Sequence, residues 1–323
     1  MFKQRLVQAG LALALLGLPP AFAQDFPARP IKLLVPYAAG GGTDAVARIV
    51  AQAVGERMGQ AVIVENNGTG GGNLASQIVA AAPADGYTML MANQGPMVVN
   101  PHLFKNLKVD PLQAFEPVTL LASVSLVLVV PQKSPFNSVA EFIDFAKKNP
   151  RKLSYGSAGN GSASHLAVML MAQLGDLDVT HVPYRGAGPA LNDLVSGQTD
   201  FMITSLPSVT GLISSGTVKA LAVSPDKRIT ALPDVPTLME AGIKDYATGA
   251  WYGFVVPKGT PQDVVEKLRA ASIDAVSSPF VRERFASEGT DPIGSSGEDF
   301  RKMMIEESAR WSDVVKKSNT VIN

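Results

Sequence analysis

Three glycine-rich segments of this chain have the composition of loops that bind anions through backbone N–H groups. The first reads Pro-Tyr-Ala-Ala-Gly-Gly-Gly-Thr-Asp over residues 36–44. It lies between an apolar run and an amphipathic one, so we expect it to join a strand to a helix. Glycines let a ligand approach the backbone, Thr43 or Asp44 can cap the helix, and free N–H groups at a helix start favour an anion. A tight β–α turn that binds nothing would have the same composition.

The other two segments repeat this construction. Residues 155–166 read Tyr-Gly-Ser-Ala-Gly-Asn-Gly-Ser-Ala-Ser-His-Leu, with Ser162 as a candidate helix cap. Ser157, Asn160 and Ser162 add side-chain hydrogen-bonding groups, which affinity for an anion alone does not require. Residues 184–189 read Tyr-Arg-Gly-Ala-Gly-Pro, and Pro189 suits a first helical turn. If two sheets present their carboxyl edges to one cleft, the three loops converge there.

Four side chains near these loops have two interpretations each. Arg185 is either a cation for a ligand carboxylate or a surface residue of its loop. His165 either faces the ligand or packs against a loop carbonyl. Asn93, at the end of a predicted strand, either contacts the ligand or makes a turn. Trp251 either walls the cleft or packs in the core.

The elements that position these residues alternate between strand-like and helix-like runs, which is typical of parallel sheets with crossover helices. In a first unit we predict strands at 31–37, 61–65 and 87–92 and helices at 43–58 and about 74–82. In a second unit we predict strands at 153–157, 180–184, 201–205 and 219–224 and a helix at 162–174. Three further helices are predicted near 261–277, 279–288 and 297–317.

Two segments are candidates for connections between the units. Residues 117–131 form an apolar run that ends in a strand, and residues 251–257 suit the return. The last three helices should then pack on the first unit. We therefore predict an α/β fold of two doubly wound lobes with two interlobe crossings, a hinge and a ligand cleft. Lobe 1 would comprise residues 24–124 plus 249–323, and lobe 2 residues 125–248.

The first 23 residues have the composition of an export leader. Lys3 and Arg5 give a basic start, Leu6–Leu18 is apolar, and residues 21–23 read Ala-Phe-Ala, a small-x-small cleavage site. We expect the mature chain to begin near Gln24 and to reside in the periplasm. An uncleaved anchor is the alternative, although the apolar run is short for a membrane span. No cysteine is present to carry a lipoprotein tether.

Composition argues against several classes of function. The precursor has 28 basic and 28 acidic residues, so removing Lys3 and Arg5 leaves a net charge of −2. That balance disfavours nucleic acid or a polybasic membrane surface as partner. The absence of cysteine fits an oxidising compartment and removes thiolate chemistry. Histidine occurs only at 102, 165 and 181, without an H-x-x-x-H pair, so we expect no metal site.

Two enzymatic alternatives have weak motifs. Gly40, Gly42 and Ala45 satisfy G-x-G-x-x-A after a strand, and Glu65 ends the next strand where a ribose-binding acid would sit. The leader, however, places the chain outside the cytoplasmic cofactor pool, and no convincing proton donor accompanies the loop. A secreted hydrolase would need a motif such as Gly-x-Ser-x-Gly or a credible Ser-Lys pair, and neither occurs.

Seven segments together resemble one protein family. They are residues 36–44, 156–166 and 184–191, with Asp85-Gly-Tyr-Thr-Met-Leu, Asn100-Pro-His-Leu, Ala231-Leu-Pro-Asp-Val-Pro-Thr and Trp251-Tyr-Gly-Phe. The chain resembles the tripartite tricarboxylate transporter receptor family, also called Bug proteins, over essentially its whole mature length. Residues 68–72 read Gly-Thr-Gly-Gly-Gly and depart from the Pro-Gly-x-Gly-Gly of the family, so the shape of that loop is not carried over.

The resemblance implies a periplasmic-binding-protein fold of type II, a Venus flytrap, that holds dicarboxylates, tricarboxylates, amino acids or aromatic acids. In such receptors one carboxylate is bound by two helix-initiating loops, largely through backbone amides and bridging waters. The positions carried over are Tyr37, Ala39, Gly41, Thr43 and Asp44 in lobe 1 and Ser157, Asn160, Ser162 and His165 in lobe 2. Further candidate contacts in the loops and at the strand end are Gly42, Asn93, Tyr184, Arg185, Gly186 and Ala187.

The resemblance also has implications for catalysis, cofactors and partners. It implies a receptor without catalysis or cofactor that delivers a carboxylate to the membrane permease subunits of a tripartite transporter. A receptor of the same fold that serves a sensor protein is the alternative. We expect a monomer that binds no nucleic acid.

Overall fold

The computed structural model describes residues 25–318, and the predicted leader lies outside them. Its first sheet has six strands: β1 (Ile31–Val35), β2 (Val62–Asn66), β3 (Thr88–Ala92), β4 (Phe115–Val124), β10 (Ala250–Pro257) and β11 (Thr290–Pro292). Their order is β11-β4-β10-β3-β1-β2. Strand β1 runs parallel to β2 and β3, whereas β10 runs antiparallel to β3 and β4. The carboxyl ends of β1, β2 and β3 therefore share one edge.

A second set of strands is built on the same plan: β5 (Leu126–Pro131), β6 (Ser154–Ser157), β7 (Thr180–Pro183), β8 (Met202–Ser205) and β9 (Val218–Val223). Strand β5 lies between β8 and β9, antiparallel to both, and β6 is parallel to β7. A parallel bridge from Tyr155 to Phe201 connects β6 to the start of β8. The resulting order, β7-β6-β8-β5-β9, matches β2-β1-β3-β10-β4 of the first sheet strand for strand.

The chain changes sheet at Ser125, between β4 and β5, and returns before β10. The hydroxyl of Ser224, which is fully buried, accepts the Leu126 N–H at 3.0 Å and donates to the Thr248 carbonyl at 2.7 Å. One side chain thus ties both connections together. The division into lobes stays a proposal, which this change of sheet supports. We use lobe 1 for residues 25–124 and 249–318 and lobe 2 for residues 125–248.

Helices fill the connections between strands. They are α1 (Gly42–Met58), α2 (Asn73–Ala80), α3 (Asn100–Leu103), α4 (Pro111–Ala114), α5 (Val139–Lys148), α6 (Ala163–Gly175), α7 (Ala187–Ser196), α8 (Leu206–Ser214), α9 (Gln262–Ser277), α10 (Pro279–Ser287) and α11 (Gly297–Ser318). Helix α1 buries the apolar stripe that contains Val46, Val50 and Val54. It ends at Gly59, whose left-handed backbone (φ 65°) suits glycine. None of the helices in the described part of the chain is long and apolar enough to cross a membrane.

The predicted strands and helices agree with the structure to within two residues at their ends. Three regions differ, and α5, α8 and β11 were not predicted. Strand β1 stops at Val35 because the next residue is Pro36, which has no N–H for the sheet. The apolar run 117–131 is two strands in two sheets rather than one connection ending in a strand. Residues 95–99, which were predicted as neither strand nor helix, form a π-helical turn whose five residues are all buried.

Candidate ligand-binding site

The first predicted loop joins β1 to α1 and leaves the helix start open. Gly41 precedes the helix with an extended backbone (φ −96°, ψ 168°), and no side chain of residues 25–318 caps it. The Gly42 N–H donates to the hydroxyl of Ser208 at 2.7 Å. The N–H groups of Thr43 and Asp44 have no hydrogen-bond partner in the described part of the chain. This helix start therefore offers two donors.

The carboxylate of Asp44 stabilises this loop through hydrogen bonds and an ion pair. It accepts the Gly40 N–H at 3.1 Å and the Asn66 side-chain amide at 3.0 Å, and it pairs with Arg48 at 3.0 Å. Burial raises the pKa of Asp44, but the hydrogen bonds from Arg48, Gly40 and Asn66 outweigh burial and lower the pKa overall. The ionised Asp44 therefore supports the loop and does not line the cleft.

The second predicted loop joins β6 to α6 and is capped by its own side chains. Ser162 accepts the His165 N–H at 3.3 Å, and the hydroxyl of Ser164 accepts the Ala158 N–H at 2.8 Å. The N–H groups of Ala163 and Ser164, the first two of the helix, find no acceptor within residues 25–318. The start of α6 therefore offers a second pair of donors.

The loop that starts α7 completes the arrangement. Helix α7 follows Gly186, with no side-chain cap among the described residues. A Cβ placed on Gly41 would lie 3.2 Å from the Cβ of Ala187, so the starts of α1 and α7 are in contact across the lobes. The three predicted loops therefore converge at one place.

Between the loops lies a cleft with about 430 Å³ of space not filled by protein atoms. Its lining residues are Tyr37, Gly41, Gly42, Thr43, Asn93, Gln94, Leu126, Ala158, Ser162, Ala163, Ser164, Ala187, Thr204, Ser205, Ala250 and Tyr252. Among these described residues none has a charged side chain. The cleft is therefore polar through hydroxyls, amides and backbone N–H groups alone.

Two tyrosines hold this lining in place. The Tyr37 hydroxyl donates to Asn93 Oδ1 at 3.1 Å, and Gln94 donates to the Gly249 carbonyl at 2.6 Å. Burial raises the pKa of Tyr37, and nearby Tyr252 raises it further. Burial raises the pKa of Tyr252 as well, against smaller lowering by its hydrogen bonds with Thr43 and Ser205. Both phenols therefore stay neutral near pH 7.

The predicted site residues divide into two groups by position. Those that line the cleft are Tyr37, Gly41, Gly42, Thr43, Asn93, Ser162 and Ala187. Those placed around it are Ala39, Asp44, Ser157, Asn160, His165, Tyr184, Arg185 and Gly186. For both groups, contact with a ligand stays a prediction.

Ser157 and His165 are buried behind the second loop. Ser157 hydrogen-bonds His181 Nε2 at 2.6 Å, and His165 Nδ1 accepts the Gly161 N–H at 3.2 Å. The His165 and His181 rings stack with centroids 4.2 Å apart. Burial lowers the pKa of His165 to about 3, with His181 as a smaller cause, and lowers that of His181 to about 4. The two neutral rings support the loop from within the lobe.

Asn160, Tyr184 and Arg185 line a second, more open cleft beside the first. Arg185 is exposed and forms no ion pair with any residue of 25–318, while its main-chain carbonyl accepts the Ala38 N–H at 2.9 Å. The Tyr184 hydroxyl donates to Asp193 at 2.5 Å. The structure thus places the Arg185 guanidinium outside the neutral cleft, in its loop's surface position.

Sequence reasoning missed nine lining residues: Gln94, Leu126, Ala158, Ala163, Ser164, Thr204, Ser205, Ala250 and Tyr252. Thr204 and Ser205 end a predicted strand just as Asn93 follows one, so their position was a usable signal. Trp251 packs edge-on against Phe300 and donates to Glu307 at 2.9 Å, while its neighbour Tyr252 lines the cleft. Because side chains alternate along a strand, Trp251 and Tyr252 point to opposite faces, and the sequence did not indicate which of them faces the cleft.

The enzymatic alternatives gain no support from the geometry. Glu65 pairs with Lys32 at 2.9 Å on an exposed strand, away from the cleft. The Ser162 hydroxyl donates to the Gly159 carbonyl at 2.6 Å, and no hydrogen bond joins it to the His165 ring among the described contacts. Within residues 25–318 no cluster of three His, Cys, Asp or Glu side chains could hold a metal ion.

Comparison with known proteins agrees with this architecture. The model of the family described as "Tripartite tricarboxylate transporter family receptor" matches residues 46–320. A protein of Pseudomonas sp. (strain P51), called the UPF0065 protein in the tcbD-tcbE intergenic region, is 38% identical over 315 residues, covering 97% of this chain and 94% of that one.

Two solved structures share the fold. The periplasmic binding protein BugD is 36% identical, with a TM-score of 0.88 over 92% of this chain and 99% of its own. Rpa4515 of R. palustris, solved with adipate, is 34% identical, with a TM-score of 0.89 over the same shares. The fold is therefore that of the periplasmic binding proteins. The chain belongs to the tripartite tricarboxylate transporter receptor family.

Proposed function

We propose that this chain is a periplasmic receptor that captures a small carboxylate between its lobes for uptake. The family is one of periplasmic solute-binding receptors. The ligand class we propose is a dicarboxylate, a tricarboxylate, an amino acid or an aromatic acid. The relative Rpa4515 was solved with adipate, which supports a carboxylate for this chain as well.

The observation that carries the proposal is the convergence of helix starts on a cleft without charged side chains. The N–H groups of Thr43, Asp44, Ala163 and Ser164 are unpaired within the described residues, and Thr43, Ala163 and Ser164 line the cleft. A partly buried helix start stabilises an anion by up to about 2 kcal/mol, and each hydrogen bond to a charged group adds about 1.5–3 kcal/mol. Two such ends are sufficient to hold one carboxylate.

The same lining limits what else the cleft accepts. A cation would meet N–H donors and the positive ends of helices, which repel it. A second carboxylate group on the same ligand would meet no cationic side chain among the lining residues. It would have to be bound by another helix start or by hydroxyls such as those of Thr204 and Ser205.

We propose binding without catalysis. General acid–base chemistry needs a group that titrates near the working pH, and nucleophilic chemistry needs an activated hydroxyl, thiol or amine. The lining side chains of the described cleft are aliphatic groups, amides, hydroxyls and neutral phenols. An acid that enters is therefore held and released unchanged.

Capture would follow from closure of the lobes. An acid that touches α1 in lobe 1 and α6 in lobe 2 binds the closed form more tightly than the open form, and only this difference can drive closure. The closed receptor would then dock on the membrane permease subunits of a tripartite tricarboxylate-type transporter. We propose that residues 1–23 direct export and are cleaved near Ala23, and that the receptor acts as a monomer.

A thermal-shift screen of the mature chain tests the proposal. Mono-, di- and tricarboxylates, amino acids and aromatic acids are compared with the corresponding amides, in which each carboxylate is replaced by an uncharged group. We expect at least one acid to raise Tm while its amide does not, because the unpaired N–H groups favour the charged form. If no acid raises Tm, or if acid and amide act equally, the proposal fails.

A further inference from the structure

The two lobes touch directly beside the cleft through main-chain atoms. The Ala38 N–H of lobe 1 donates to the Arg185 carbonyl of lobe 2 at 2.9 Å. The Gly42 N–H donates to the hydroxyl of Ser208 on α8 at 2.7 Å, and that hydroxyl also bonds Ser205 at 2.7 Å. Ala38, Arg185 and Ser208 do not line the cleft. The Ala38–Arg185 hydrogen bond therefore joins the lobes outside the space a ligand would occupy, whereas Gly42 lines the cleft and its bond to Ser208 lies at the edge of that space.

Three glycines permit this close approach. A Cβ on Gly68 would lie 2.0 Å from the Arg185 carbonyl oxygen, and one on Gly186 would lie 2.8 Å from the Ala38 nitrogen. A Cβ on Gly188 would lie 2.6 Å from a carbonyl oxygen of the facing loop. In each case the nearest atom belongs to the backbone of the other lobe, which cannot turn aside as a flexible side chain can.

None of the three glycines is required by its own backbone conformation. Gly68 has φ −89° and Gly186 has φ 162°, which other residues adopt as well. Gly188 lies in the first turn of α7, where alanine is the better helix former. The steric demand at these positions therefore comes from the facing lobe.

We propose that Ala38, Gly42, Arg185, Gly186, Gly188 and Ser208 form a closure latch, which stabilises the closed arrangement independently of the bound acid. The inference rests on the proposed function as a two-lobe receptor and adds a set of positioning residues to it. Because apparent affinity scales with the populated fraction of the binding-competent state, the latch contributes to affinity through the closed population, and of its members only Gly42 lines the cleft. The Gly42–Ser208 bond also holds the start of α1 in register with lobe 2.

Single-molecule energy transfer on the ligand-free chain tests the latch. The chain has no cysteine, so cysteines introduced at the exposed Lys147 of lobe 2 and Glu283 of lobe 1 can carry the two dyes. Gly188→Ala is the sharpest variant, because its methyl group clashes only when the lobes close. Gly211→Ala is the matched control, since Gly211 is also helical and has open space around it.

We expect a closed population in the parent chain and in Gly211→Ala, and a closed-to-open ratio lowered about tenfold or more in Gly188→Ala. Gly188→Ala should keep the cooperative thermal unfolding of the parent, which shows that lobe 2 is intact. Ser208→Ala should lower the ratio severalfold, and Ser208→Thr, which keeps the hydroxyl, should restore it.

Equal ratios in Gly188→Ala and Gly211→Ala, or no closed population in the parent, would overturn the latch. The measurement contains no ligand. A chain that closes but binds none of the acids would therefore count against the proposed function alone.

Discussion

Ala163 is the first residue of α6, and its N–H group has no acceptor within the described residues. Ser162, just before it, has an extended backbone (φ −65°, ψ 158°), which suits a residue that precedes proline. Ala163→Pro therefore removes one donor from the cleft and leaves the helix start favourable. We expect acid affinity, measured by calorimetry, to fall about tenfold or more, the loss of one hydrogen bond to a charged group.

Gln262→Pro provides the matched control for this variant. Gln262 is the exposed first residue of α9 and also follows an extended residue, Pro261 (φ −52°, ψ 138°). Its N–H faces no cleft residue, so affinity should stay at the level of the parent. Equal affinities for the Ala163 and Gln262 variants would show that the backbone of α6 does not hold the acid.

The stacked pair of His165 and His181 makes stability depend on pH. Both have a pKa lowered by burial, to about 3 and about 4, against 6.5 for a free histidine. Above pH 6.5 folded and unfolded chains both carry neutral rings. As pH falls below 6.5 the unfolded chain takes up protons that the folded chain does not, so stability decreases. The loss due to His165 is about 2 kcal/mol at pH 5.

Urea unfolding at pH 7 and pH 5 measures this loss. NMR titration of the imidazole signals is the independent check, because the signals of His165 and His181 should shift only slightly between pH 7 and pH 5. Titration of either ring near pH 6.5 would contradict the assignment of the pair as buried and neutral.

At the scale of single residues, the sequence predicted the three loops that line the cleft but only part of the side chains that line it. Gly41, Thr43 and Ser162 could be predicted because a strand–glycine–helix pattern fixes where the helix begins. His165 could not be placed, since a residue one turn into a helix can face either the cleft or the core. That direction depends on His181, which is distant in sequence and stacks on it only in the folded lobe.

Among the elements, the two connections between lobes depend on Ser224. Its hydroxyl satisfies the Leu126 N–H and the Thr248 carbonyl, and the side chain is fully buried. Ser224→Ala leaves both groups without this partner, at a cost of about 1–3 kcal/mol. We expect urea unfolding to show a loss of this size.

Ser272→Ala is the comparison for the hinge variant. Ser272 is also fully buried, but its hydroxyl donates to the Leu268 carbonyl within its own helix. Its loss should be smaller, because that carbonyl keeps its place in the helix. If the two variants lose equal stability, the hydrogen bonds of Ser224 have no special role at the hinge.

Most strands and long helices could be predicted because each carries its own period of apolar residues. The region 95–114 could not be, because the π-helical turn and short helices there contain Pro96, Pro101 and Pro111 and are too short to show a period. The change of sheet at Ser125 lies at the predicted boundary between residues 124 and 125, although the hydrogen bonds of Ser125 follow no local pattern. Its N–H bonds the Gly289 carbonyl and its carbonyl accepts the Leu206 N–H, and both partners are distant in sequence.

For the whole molecule, closure can be tested with an engineered disulfide. A Cβ on Gly41 would lie 3.2 Å from that of Ala187, close to the 3.5–4.5 Å that disulfides span. In the double variant Gly41→Cys and Ala187→Cys, oxidation should join the lobes. We expect small-angle scattering to give a smaller radius of gyration for oxidised than for reduced protein without ligand.

The two single variants are the controls, and dithiothreitol should abolish the difference. Failure of the disulfide to form would mean that the starts of α1 and α7 do not meet in solution. The two-lobe plan itself could be predicted from the alternation of elements. The distance between the lobes could not, because it depends on contacts such as Gly68 with Arg185 that no local pattern records.

Val124 and Ala250 are paired neighbours on β4 and β10. The chain therefore leaves the first sheet after Val124 and re-enters it beside the same residue, so the 125 residues in between are an insertion at the end of a β-hairpin. A short turn joining these two residues would close that hairpin and leave lobe 1 as one uninterrupted chain. The insertion confines the covalent connection between the halves to two adjacent strands, so the proposed opening and closing would leave the six-stranded sheet undisturbed.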